Sequence, residues 1–230
     1  MPNKNMKILA IIPARSGSKS IKDKNMISYK GKPLIYHSIQ IALKSKLINR
    51  VIVSTDSKKY ANISKKFGAE VPFLRPKKIS KDNSSDSEWI FHAIDYLIKK
   101  EKYYPEIIVH LRPTSPNREL KIFEKGIKWF LKNKKTSTSM RSVSIFSQPP
   151  QKLFKMKNKF LTGFFNDKYR GEYHSRPRQD YPQTYLPNGY IDILKTSYIL
   201  KCKKIYGDKI LSYVTNPILD IDTKQDLKFG

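Results

Sequence analysis

Short unbroken apolar runs, each closed by a polar cluster, set the tightest limit on what this chain can fold into. Ile8-Leu9-Ala10-Ile11-Ile12 stops at Pro13, Val51-Ile52-Val53 leads into Ser54-Thr55-Asp56, and Ile107 to Leu111 leads into Arg112-Pro113-Thr114. A run without polar alternation reads as a strand buried on both faces, which needs helices above and below it. Between the runs, apolar residues recur at helical spacing: Leu34, Ile35, Ile39, Ala42 and Leu43, then Tyr60, Ala61, Ile63 and Phe67, then Trp89, Ala93, Tyr96 and Leu97. Glu70 to Leu74 reads as a further strand, and Gly68 as the stop of the helix before it. Strand and helix alternate about every 25–30 residues, which predicts an α/β fold with a mostly parallel central sheet flanked by helices.

The rhythm changes after about Thr136. Thr138 to Ser147, Tyr190 to Leu194 and Lys209 to Val214 read as strands, while Lys152 to Ser175 is aromatic, basic and without period. The expectation is one domain over 1–230 with an inserted lobe at roughly 140–185, serving as a dimer contact or a lid.

Charge narrows the partners. Lys and Arg number 46 against 19 Asp and Glu, a formal net charge of +27. Lys outnumbers Arg 37 to 9 and is scattered along the chain, so the excess reads as a solvated surface and not as a nucleic-acid-binding arm. No run approaches the ~18 apolar residues of a membrane span. Cys202 is alone, which excludes an intrachain disulfide. The expectation is a cytoplasmic protein with no membrane and no specific nucleic-acid partner.

In open α/β sheets, ligands bind at the carboxyl ends of the strands. The unusual polar clusters fall there: 14–25, 54–56, 112–118, 188–189 and 220–226. The loop Ala14-Arg15-Ser16-Gly17-Ser18-Lys19, continuing to Lys24-Asn25, is rich in small residues whose N–H groups can approach phosphate oxygens, while Arg15, Lys19 and Lys24 supply charge. It is neither a Walker A loop nor a Gly-x-Gly-x-x-Gly fingerprint. Three acids fall within Asp220-Ile221-Asp222-Thr223-Lys224-Gln225-Asp226. In an extended chain Asp220 and Asp222 face the same side, where two carboxylates can hold Mg²⁺ with waters and phosphates; Asp222 as a helix cap is the alternative. His37, His92, His110 and His174 have no metal-ligand spacing.

Taken as a colinear set, these motifs resemble the acylneuraminate cytidylyltransferases. The set comprises Ile12-Pro-Ala-Arg15-Ser-Gly-Ser-Lys19 with Lys24-Asn25, Val53-Ser-Thr-Asp56, Leu74-Arg75-Pro76, Asp82 with Ser84-Ser85, Leu111-Arg112-Pro-Thr-Ser-Pro116 with Arg118, Pro177-Arg178-Gln179, Pro187-Asn188-Gly189, and Asp220-Ile-Asp222 with Asp226. The resemblance implies a Rossmann-like nucleotidyltransferase fold, a homodimer formed through the inserted region, and transfer of CMP from CTP to a 2-keto sugar acid with Mg²⁺. It implies that Ala14, Arg15, Lys19, Lys24, Asn25, Arg75 and Ser84 bind the nucleotide. Arg15, Lys24 and Arg178 would be catalytic, Arg112, Gln179 and Asn188 would contact the sugar, and Asp220 and Asp222 would hold the metal. Three positions depart from the common pattern: Arg112 stands for Gln, Leu186 for Arg, and Asp86 for a hydroxyl residue. The first two leave the sugar open among sialic, legionaminic, pseudaminic and eight-carbon acids, and Asp86 leaves the base selectivity open. Transfer to a sugar 1-phosphate or from another triphosphate remains the alternative activity, and a basic nucleic-acid-binding module a remote one.

Overall fold

The computed structural model describes residues 6–165, 172–223 and 225–229. Its centre is a six-stranded sheet in the order β10-β6-β9-β5-β1-β4. These strands are β1 (Ile8–Pro13), β4 (Arg50–Ser54), β5 (Ile107–His110), β6 (Ser139–Phe146), β9 (Thr184–Lys195) and β10 (Ile210–Val214). The β4-β1-β5 block is parallel, as is the β10-β6 pair, and β9 runs antiparallel between them.

Side-chain alternation divides the core into two layers. Ile8, Ala10 and Ile12 pack with α1 (Leu34–Lys44) and α4 (Leu120–Asn133) on one face. Leu9 and Ile11 pack with α3 (Asp86–Glu101) and Ile199 of α5 (Thr196–Cys202) on the other. α2 (Lys58–Lys66) joins the first face through Tyr60, and the Ser57 hydroxyl caps it by accepting from the Tyr60 N–H. The unbroken apolar runs of β1, β4 and β5 are therefore required by the fold, because their residues are buried on both faces of the sheet.

Three expectations change. Glu70 to Leu74 makes only one parallel bridge, Glu70 against Ile52, because Pro72 has no N–H to continue a ladder. The departure from the sheet begins later than 140: β6 keeps 139–146 paired with β9, and β9 begins at Thr184. Inside the excursion, the stretch read as irregular contains an antiparallel hairpin of β7 (Phe154–Lys157) and β8 (Phe160–Gly163). Its side chains are so exposed that no buried-strand pattern marks it. A smaller hairpin, β2 (Ser28–Tyr29) with β3 (Lys32–Pro33), turns at Lys30 and Gly31, both at positive φ as a type I′ turn requires.

Third, Asn188-Gly189 lies inside β9 and not after a strand. The antiparallel direction still delivers it to the working edge: His110 pairs with Asp192, so residues 188–190 run out beside the loop that follows β5.

Candidate active site

The loops after β1 and β5 and the segment 75–89 that leads into α3 surround a cavity of about 210 Å³ lined by Arg15, Lys24, Asn25, Arg75, Lys81, Ser84, Asp86, Trp89, Arg112 and Thr114, among others. Each loop is pinned by side chains. Ser16 donates from both N–H and hydroxyl to the Asp56 carboxylate, at 2.9 Å each, tying the β1 loop to the end of β4. Asn25 is buried and donates to the Arg15 carbonyl at 3.1 Å. Arg15 is held by Asp82 at 2.6 Å, and Lys24 by Asp222 at 2.6 Å.

Arg75 forms part of the wall. Only 5% exposed, it donates to the Ser54 hydroxyl (3.1 Å) and carbonyl (2.7 Å) and lies 5.3 Å from the Trp89 ring centre. Burial lowers its pKa to about 10, leaving the guanidinium charged at neutral pH.

Arg112 does not offer a free cation to a ligand. It bridges Asp86 (2.9 Å) and Asp192 (2.8 Å). Asp192 is 1% exposed and also accepts from Arg141 (3.4 Å) and the Tyr206 hydroxyl (2.9 Å). Burial works against charge on Arg112, but the two carboxylates raise its pKa above the ordinary value. Burial likewise opposes ionisation of Asp86 and Asp192, and the facing charges hold both below the usual carboxylate range. Removing Arg112 would leave the buried Asp192 with only the longer Arg141 ion pair, a loss of about 3–5 kcal/mol.

Arg118 is a brace. Its guanidinium donates to the carbonyls of Arg112, Ser115, Gly189 and Tyr190 and to the Ser38 hydroxyl, clamping the β5 loop onto β9. Gly189 fits there because its φ is +68°, and a Cβ would meet the Ser115 hydroxyl at 2.9 Å.

The structure gathers Arg15, Lys24, Asn25, Arg75, Ser84 and Arg112 around one cavity and leaves other expected residues outside its lining. Ala14 is buried, its N–H bonded to the Ser54 carbonyl. Lys19 is exposed and paired with Asp82 at 3.1 Å. Asn188 donates to the Thr215 hydroxyl at 2.7 Å. Arg178 and Gln179 line a separate cavity of about 360 Å³ in the excursion, with no lining residue in common with the first.

Asp220 and Asp222 flank the buried Ile221, whose N–H bonds the carbonyl of the cavity residue Thr114 at 2.8 Å. The helix-cap alternative for Asp222 is reversed: Asp226 accepts from the N–H groups of Asp222 and Thr223 and from the Thr223 hydroxyl. Those bonds hold the Asp226 carboxyl below its ordinary pKa. Among the described residues no group of three or more His, Cys, Asp or Glu could hold a metal. Two exposed hard-oxygen donors at the cavity rim, one already neutralising Lys24, fit a cation held mainly by substrate phosphates and water.

Sequence reasoning named Asp86 only as a departure from the family pattern, weighed His110 only as a metal ligand, and missed Asp192 and Tyr206. Their partners sit on separate elements, so no local spacing marks them.

The profile of the cytidylyltransferases matches residues 9–151. The chain belongs to the cytidylyltransferase family. It is 33% identical to the N-acylneuraminate cytidylyltransferase of Escherichia coli over 97% of its own length, but spans only 51% of that protein. It is 32% identical to the pseudaminic acid cytidylyltransferase of Campylobacter jejuni, covering 98% of this chain and 95% of the relative. It is 34% identical to the CMP-N,N'-diacetyllegionaminic acid synthase of Legionella pneumophila, covering 96% and 93%. The fold matches that of a CMP:2-keto-3-deoxy-manno-octonic acid synthetase solved with CTP, with a TM-score of 0.69 at 16% identity over 97% of this chain and 96% of that one. The α/β nucleotidyltransferase-like fold is therefore established for this cytidylyltransferase.

Proposed function

We propose that this cytidylyltransferase moves CMP from CTP to the anomeric hydroxyl of a sialic acid-like 2-keto sugar acid and releases pyrophosphate. The observation that carries the reading is the cavity at the strand ends, where Arg15, Lys24, Arg75 and Lys81 converge in a chain similar over nearly its whole length to enzymes of that class.

As the anomeric oxygen bonds to the α-phosphorus and the bridge to the β-phosphate breaks, negative charge gathers on phosphate oxygens. Arg15 and Lys24 are placed to neutralise it, and cations fixed before the reaction cost no reorganisation during it. Lys24 would exchange its Asp222 partner for phosphate, freeing that carboxylate. Asp220 and Asp222 would then hold Mg²⁺, which supplies Lewis-acid stabilisation of the transferring phosphoryl group. Asn25, anchored on the Arg15 carbonyl, keeps the β1 loop in place. Arg178, Gln179 and Asn188 would meet the sugar once the excursion is covered by a second copy, making the working form a homodimer. Its use of CTP would set it in the cytoplasm; among the described residues no helix is long and apolar enough to cross a membrane.

Pyrophosphate release, measured with the four common nucleoside triphosphates against sialic, legionaminic, pseudaminic and eight-carbon sugar acids, tests the reading. Release is expected only with CTP and a nine-carbon acid, and chelation of Mg²⁺ should abolish it. Release with GTP or UTP and a sugar 1-phosphate would overturn it.

A further inference from the structure

Lys24 carries its charge on a flexible four-carbon stem, so where the ammonium reaches depends on how the backbone aims it. The residue before it sets that aim. Asp23 has φ 54° and ψ 35°, the left-handed region that glycine enters freely and that Asp enters at a cost, though more readily than most residues. Its carbonyl accepts from the Met26 N–H at 2.7 Å and so opens the single turn Lys24–Met26, which presents Lys24 and Asn25 to the cavity. A backbone in this region persists where its surroundings hold it.

What holds it comes from another element. No side-chain hydrogen bond caps the turn among the described residues, but Oδ1 of Asp23 accepts from the Tyr60 hydroxyl at 2.7 Å. Tyr60 is on α2, 1% exposed, and its ring belongs to the core layer that also contains Ile12, Val51 and Val53. A close-packed ring of that kind gives the hydroxyl a fixed position. Burial, with the carboxylates of Asp23 and Asp56 nearby, pushes the hydroxyl pKa up, so it remains a donor. The segment 56–60 also holds the front of the same loop, because Asp56 accepts from Ser16. The loop is therefore anchored on one rigid stretch at both ends.

The rear anchor matters most during the reaction. Lys24 pairs with Asp222 at 2.6 Å, and the proposed transfer exchanges that carboxylate for phosphate. While the ammonium changes partners, its backbone is what keeps it on course. Neither Asp23 nor Tyr60 lines the cavity, so neither is placed to touch a substrate.

We propose that Asp23 and Tyr60 form a positioning pair, whose hydroxyl–carboxylate bond holds the left-handed turn that aims the Lys24 ammonium at the transferring phosphoryl group. The inference rests on the proposed CMP transfer and adds to it two residues that act through Lys24.

Pyrophosphate release from CTP and the preferred sugar acid tests it on Tyr60→Phe, which deletes the hydroxyl and leaves the ring in the core. kcat should fall by about 10- to 100-fold, the scale on which misplacing a reacting group from a distance costs rate, while the sugar-acid KM stays unchanged. Asp23→Asn still accepts from Tyr60 and tolerates the left-handed turn, so it should keep most of the activity. Asp23→Ala should match Tyr60→Phe, and the two together should lose no more than either alone. The deciding comparison repeats Tyr60→Phe in a Lys24→Ala background, followed in single turnovers. With no ammonium to aim, the hydroxyl should no longer affect the rate. The same fold-loss with and without Lys24 would make the bond a plain loop anchor and overturn the proposal, as would wild-type kcat in Tyr60→Phe. Should Tyr60→Phe fold poorly, Asp23→Ala, which changes only the loop side, gives the same comparison. A wild type that releases no pyrophosphate from CTP with any sugar acid would sink the reading of the site and this proposal with it.

Discussion

His110 closes β5 beneath the cavity wall, 1% exposed, with neither ring nitrogen hydrogen-bonded among the described residues. Its ring meets Trp89 edge-on at 5.0 Å, and Asp86, Arg112, Asp192 and Arg141 face it. Burial, aided by Arg112, depresses its pKa to about 4 against the pull of the two carboxylates. Histidine in the unfolded chain titrates near 6.5, so between these values the unfolded state binds the extra proton. Its contribution to stability is therefore complete above about pH 6.5 and is lost as the pH falls toward 4, up to about 3 kcal/mol over the window. His110→Leu keeps the apolar bulk and removes the titration. Melting temperatures from pH 7 to 4.5 should fall less steeply for His110→Leu than for the wild type. His92, whose pKa burial also lowers, is present in both and leaves a shared residual slope. Parallel curves would show that the imidazole is protonated in the folded protein.

At the scale of elements, the β7–β8 hairpin stands out because its far end is exposed on both faces, while Phe154 packs on His174 at its base. Met156 is 73%, Phe160 66% and Leu161 64% exposed, although Phe160 and Leu161 alternate to opposite sides. An isolated hairpin is marginal in water, so burial against a second copy would supply the cover this one lacks. Light scattering should give twice the chain mass for the wild type and the single-chain mass for Phe160→Lys with Leu161→Lys, with little change in sheet content. A monomeric wild type would assign the hairpin another role. This element also marks where sequence reading stops. β1, β4 and β5 were legible because burial on both faces leaves unbroken apolar runs, and α3 because Trp89, Ala93, Tyr96 and Leu97 recur at helical spacing, although its capped start at Ser85 was not read. The direction of β9 was not legible, since a buried run looks the same in either sense. Arg15, Lys24 and Asn25 could be placed because a loop of small residues has a local signature. The Asp86–Arg112–Asp192 chain could not, because its members meet only after β5, β9 and α3 are assembled.

Over the whole molecule, the charge of +27 and the cavity act at different ranges. Most of the basic groups are scattered, exposed lysines, and their diffuse field is screened within ~8 Å at physiological ionic strength. The cavity instead fixes Arg15 and Lys24 on carboxylates and Arg75 on the Ser54 backbone, so its recognition should outlast salt that removes steering. CTP with Mg²⁺ binds only the folded chain and should raise the melting temperature by mass action, equivalent to about 2.7 kcal/mol at a hundredfold excess over Kd. Duplex DNA held by the diffuse field should instead dissociate as salt rises, with a slope near −0.9 in log K per phosphate contacted. Lys24→Ala separates the two: it should remove most of the CTP shift and leave DNA retention almost unchanged, since it deletes one of 46 basic side chains. Thermal shift and filter binding on both proteins between 50 and about 300 mM salt make the measurement, a range in which several phosphate contacts cost orders of magnitude in affinity. Salt-resistant DNA binding together with no CTP shift in the wild type would mean that the cavity is not where this chain meets its anionic ligand.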